Sequence, residues 1–129
     1  MKTEEIEARI RRTKRLDMNM INDNPPPELA VFMQNILEES GVKKTALIKA
    51  LNVDRNYGYQ MLNGTRVPTR AQILRIALYC KLDTRKTQRL LTLAGRDALY
   101  VRRPEDAKVM HCLEHPMDFK KACEFIWGE

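Results

Sequence analysis

Three side chains near the middle of the chain have the chemistry to read base edges: Arg55, Asn56 and Gln60. An arginine pairs bidentately with guanine, and an asparagine or glutamine with adenine. Arg55 and Asn56 would begin a helix, and Gln60 follows one turn after Asn56 on the same face. Tyr59, one turn after Arg55, joins this base-contacting set. Lys43, Lys44, Thr65, Arg66 and Arg70 flank the four. They are of the types that hold phosphate oxygens, which fixes register and affinity without reading sequence.

Other chemistries find less support. His111 and His115 are four apart, with Cys112 between them and Cys123 beyond. The order His-Cys-Leu-Glu-His is not the zinc-protease order, and no Cys-x-x-Cys pair accompanies it, so no metal site is expected. A partly exposed helix end stopped by Pro116 is the plainer reading. Ser40 has no paired base. Asp97, Glu105 and Asp106 have no acid partner that the sequence can place, so no catalytic constellation is expected. The five glycines form no phosphate-cradling loop, and no cofactor is expected.

The three cysteines are odd in number and widely spaced, which suggests reduced thiols and a cytoplasmic location rather than a disulfide framework. No apolar run approaches the roughly 18 residues of a membrane span, and the N-terminus lacks the apolar core of a secretory signal. At 129 residues, 43% hydrophobic and 31% charged, the chain has the composition of one soluble globular unit.

The net charge of +6 is unevenly spread. Residues 43–89 hold 11 basic and 2 acidic side chains, whereas the flanking segments are close to neutral or slightly acidic. A block this one-sided repels itself unless an anion compensates, and nucleic acid is the commonest such partner.

The elements that must position these side chains are helical. Leu29, Phe32, Met33, Ile36 and Leu37 form one apolar stripe, ended by Gly41. A short helix follows with Leu47, Ala50 and Leu51, then the turn Asn52-Val53-Asp54. Asp54 caps a helix from Arg55 to about Asn63-Gly64. Thr69 to Gln72 is a capping box for a fourth helix, and Asp83 caps a fifth that closes at Gly95. Pro104 and Asp118 open two more. The expected fold is all-α. It comprises a polar, partly basic and flexible arm over 1–24, a five-helix domain over 25–95, and a C-terminal extension of two helices over 96–129. The extension would complete the core, mediate dimerisation or dock a partner.

Two short helices joined by a tight turn inside a basic block have helix-turn-helix grammar. The stretch from Gly41 to Pro68 resembles the Cro/cI-type (XRE) helix-turn-helix family of DNA-binding repressors. Leu47, Val53, Asp54, Asn63-Gly64, Arg66 and Pro68 fall into the family's slots without a gap. The resemblance spans residues 28–95 or so. It implies a repressor-like fold, a recognition helix over 55–63 in the major groove, and Arg55, Asn56 and Gln60 in the base-reading slots. Three features depart from the pattern. Gly58 replaces a branched apolar residue, Leu62 replaces a polar one, and Tyr57 and Tyr59 are bulkier than usual.

The tyrosines either fill the space beside Gly58 or form, with Leu62, a protein-binding patch. Phe125 and Trp127 either complete the last core layer or mark a self-association surface. Sequence-specific binding of double-stranded DNA by a homodimeric transcriptional regulator is the function expected, with no membrane partner. The alternative is an adaptor that keeps the repressor-like fold and binds a protein.

Overall fold

The computed structural model describes residues 3–5, 7 and 25–129. Thr3, Glu4, Glu5 and Glu7 are helical and exposed. The remainder of the expected N-terminal arm, with its basic cluster Arg9 to Arg15 and with Met18 and Met20, lies outside the described residues. All regular structure among the described residues is α-helical, and none of these helices is long and apolar enough to cross a membrane.

Seven helices follow one another from Pro27: α1 (Pro27–Ser40), α2 (Lys44–Leu51), α3 (Arg55–Leu62), α4 (Arg70–Tyr79), α5 (Thr84–Leu93), α6 (Pro104–Glu114) and α7 (Phe119–Trp127). Local chemistry sets most of their ends. Proline occupies the first turn of α1 and α6, where its missing N–H costs no intrahelical bond. Asp54, Asp83 and Asp118 each accept a backbone N–H from the first turn of the helix they cap. At α4 both halves of the capping box form: Thr69 Oγ1 accepts from Gln72 N, and Gln72 Oε1 accepts from Thr69 N at 2.8 Å.

Helix α4 is the hub, packing against α2, α5, α6 and α7. A single cluster of buried side chains runs from Leu29 and Met33 of α1, through Leu47, Met61, Ile73 and Leu90, to Val109 of α6 and Ile126 of α7. The C-terminal helices are therefore walls of the same core. Burying each such aliphatic side chain contributes about 2 kcal/mol before conformational entropy is charged against it. Phe32, expected inside, is only half-buried and packs against the rim of the core beside exposed Val31.

The α2–turn–α3 unit depends on two close approaches. Asn52 ends α2 in the left-handed region at φ 54°, which asparagine tolerates better than most residues. Gly58 faces α2 so closely that a Cβ there would lie 2.8 Å from both Cγ1 and Cγ2 of Ile48. Ile48, on the neighbouring helix, thus occupies the space that the missing side chain leaves. After α3, Gly64 sits at φ 79° with its backbone against α1; a Cβ would be 2.6 Å from Ala30 Cα. The Asn-Gly pair that ends α3 is thus also where α3 abuts α1.

Candidate nucleic-acid interface

Helix α3 has two distinct faces. Gly58, Met61 and Leu62 are buried, the last two completely. Arg55, Asn56 and Gln60 are exposed, and Tyr59 is half-exposed beside them. The N-cap bond from Tyr57 N to Asp54 Oδ2, 3.2 Å, holds the first turn in place. Leu62 is therefore not part of any docking surface; it is core, which accounts for an apolar residue at that position.

Tyr57 is half-buried and acts as a buttress. It packs against the core, and its hydroxyl donates to Gln72 Oε1 at 3.1 Å, the same oxygen that accepts from Thr69 N. Its ring lies under the Arg66 guanidinium, 5.9 Å away, as the Tyr59 ring lies under that of Arg55 at the same distance. Cation–π contacts of this kind restrain a long side chain at small entropic cost.

The flanking residues split into two groups. Lys43, Thr65 and Arg66 are exposed near the two ends of the α2–α3 unit, and Lys44 is half-exposed. Lys44 Nζ donates to Asn63 Oδ1, which ties the start of α2 to the end of α3. Thr65 Oγ1 donates to the Gln60 carbonyl at 3.0 Å, and Arg66 Nε to Gln60 Oε1 at 2.8 Å. Arg70 belongs elsewhere. Its guanidinium grips Asp106 through both Nη atoms (3.1 and 2.8 Å) and donates to the Asp97 and Ala98 carbonyls at 3.0 and 3.2 Å. With its donors committed to the C-terminal segment, Arg70 is a structural tie and not a phosphate clamp.

Asp106 is 1% exposed. Burial pushes its pKa up, but the Arg70 hydrogen bonds, the Tyr100 N–H and the charges of Arg70 and Arg103 outweigh this and hold the carboxyl below its ordinary value. The arrangement fixes the segment between α5 and α6. Gln88 adds two bonds to the Leu99 backbone, at 2.8 and 3.2 Å, and Arg96 Nε donates to the Pro68 carbonyl. Tyr100 and Val101 stand out from this fixed base, 52% and 64% exposed.

Two residues escaped sequence reasoning. Lys49 is exposed on α2 and, with Thr45, Ile48, Asn52, Val53, Arg55 and Tyr59, lines an open groove of about 460 Å³ between α2 and α3. Asn63 was visible only as a helix stop, yet its side chain meets Lys44. Lys49 could have been noted only as one more cation of the basic block; nothing in the sequence signals the second.

At the other end of the molecule, Trp127 is half-buried. Its Nε1 donates to Glu105, and Arg75 lies 4.3 Å over its ring while pairing with Glu129. Phe125 is 47% exposed, with His111 and Lys108 beside it. The His111 and His115 rings are 4.8 Å apart, and Cys112 and Cys123 are buried. Among the described residues no three of His, Cys, Asp and Glu group as metal ligands. Burial pushes the Cys80 thiol up to about 11 and raises Cys112 and Cys123 as well, so all three are protonated at neutral pH. A scan against protein-family models finds no match for this chain, and neither the curated proteins nor the solved structures yield one.

Proposed function

We propose that this chain binds double-stranded DNA, with α3 entering the major groove in the manner of the Cro/cI-type helix-turn-helix family that residues 41–68 resemble. The observation that carries the reading is the outward face of α3. Arg55, Asn56 and Gln60 all stand exposed there, while the opposite face is sealed into the core. Arg55 and Asn56 lie in the first turn, the end of a recognition helix that meets base edges. Lys43, Lys44, Lys49, Thr65 and Arg66 surround that face and suit the phosphates on either side of the groove. Asp54 is the lone acid between residues 43 and 66, and it is engaged as the α3 cap.

One eight-residue helix spans few base pairs. Useful specificity then calls for two copies on paired half-sites, as in a homodimeric regulator of transcription. Binding of a labelled duplex at increasing salt tests the proposal. The logarithm of the binding constant should fall with log salt at a slope of about −0.9 per phosphate neutralised. A flat salt profile, or no binding at low salt, rejects it.

A second reading, an adaptor that binds a protein, is favoured by one different observation. The Tyr100–Val101 tip is apolar, exposed and held on a rigid base, next to Arg102 and Arg103. Size measurement in the absence of DNA, with and without Val101→Asp, separates a protein-binding tip from an inert one.

A further inference from the structure

The outward amides of α3 are not equivalent. Arginine and lysine carry only donors, so an amide hydrogen-bonded to either must turn its oxygen towards the cation. Arg66 Nε meets Gln60 Oε1 at 2.8 Å, and Lys44 Nζ meets Asn63 Oδ1. Both amides therefore present their NH2 groups away from the cation. Asn56, on the same face, has no such cation on its oxygen among the described residues.

The Arg66–Gln60 contact is built by the backbone and is not a chance meeting of two surface side chains. The Gln60 carbonyl accepts from Thr65 N at 2.8 Å, from Arg66 N at 3.2 Å and from Thr65 Oγ1 at 3.0 Å. This wraps the segment after α3 back over its own helix and brings Arg66 beside Gln60. Below, the guanidinium rests over Tyr57, which Gln72 and the α4 capping box hold in turn.

We infer that Gln60, turned by Arg66, selects guanine instead of the adenine that an unassisted glutamine reads; the inference rests on the duplex-DNA reading of this face. A bidentate glutamine–adenine pair needs the amide oxygen to accept from adenine N6 while the NH2 donates to N7. Here one lone pair of Oε1 is filled, and a full positive charge lies beside the other. An amino group on the base meets a site of its own sign. Guanine offers acceptors only, O6 and N7, and meets the Gln60 NH2 with the Arg66 charge behind it. Arg66 is thus a positioning residue for base choice, as well as a contributor of charge.

Selection of binding sites from a random duplex pool with the full chain tests this. Gln60→Ala identifies the position that Gln60 reads, as the one whose preference flattens. The parent is expected to enrich guanine there. Arg66→Met keeps the aliphatic stem but removes the donors and the charge. It should shift the guanine-to-adenine ratio at that position about tenfold towards adenine, the scale of one good bidentate pair. The position read by Asn56 should keep its preference, whereas a merely structural loss would blur both. Adenine at the Gln60 position in the parent, or an unchanged ratio in Arg66→Met, overturns the inference and leaves DNA binding standing. A pool from which the parent enriches nothing overturns the DNA reading, and this inference with it.

Discussion

The stretch 43–66 and the stretch 67–89 carry almost the same charge, five cations with one acid and six cations with one acid, but they use it differently. In the first, Lys43, Lys49, Arg55 and Arg66 stand exposed around α3. In the second, Arg70 is closed on Asp106, Arg75 on Glu129, Lys86 on Glu39, and Lys81 on the Met117 carbonyl. A basic block in a sequence is thus two populations in space. Four of the six cations in the second stretch are held by the protein's own acids and carbonyls and Arg85 and Arg89 are exposed, while those of the first surround a polar helix face.

Breaking the internal population should cost stability. Asp106→Ala leaves Arg70 partly buried with no counter-ion and strips the Tyr100 N–H of its acceptor. The expected loss is about 3 kcal/mol, read from the urea midpoint. The affinity of the folded fraction for DNA should stay close to that of the parent. A comparable loss of affinity would show that the two populations act as one. Gly64→Ala tests the joint between α3 and α1. Positive φ and the approach of Ala30 together should cost about 2–3 kcal/mol.

Gly58→Ala probes the α2–α3 contact. An alanine should gain about 1 kcal/mol in helix propensity, yet crowding against Ile48 should make the variant less stable than the parent by a similar amount. In an Ile48→Ala background the same change should turn stabilising. Additive effects of the two substitutions would contradict the size exchange proposed for this contact.

For the outward population the readout is salt. Lys43→Ala should reduce the slope of log K against log salt by about 1, whereas Arg75→Met should leave it unchanged. Equal effects from both would erase the distinction between the stretches. The smallest effect expected is at acid pH. The Asp106 pKa is lower in the folded state than in the unfolded chain, so its contribution is full above the ordinary carboxyl value of about 4 and fades as the pH falls through the folded value. The acid side of a stability profile should be shallower in Asp106→Asn than in the parent.

Much of this architecture was legible residue by residue. Pro27, Gly41, Asp54, Thr69, Asp83, Pro104 and Asp118 mark helix ends because caps and proline act on groups within four residues. Arg55 and Asn56 follow the Asp54 cap and Gln60 stands one turn after Asn56, so their place on α3 could be read from the cap and the helical period. Leu62, Tyr57 and Gly58 were harder to read, since each answers to a distant element. Leu62 belongs to the common core, Tyr57 bonds Gln72, and Gly58 yields to Ile48 on another helix.

The sequence by itself determined where helices begin and end, which faces are apolar, and that positive charge gathers in one central stretch. These depend on interactions that reach three or four residues, or on composition alone. Only the tertiary structure decided which cations are tied to distant acids. Asp106 lies 36 residues from Arg70, and Glu129 lies 54 from Arg75, so no local rule could pair them. Packing of α6 and α7 against α4 closed those distances, and with them the choice between a cation that holds the fold and one that faces outward.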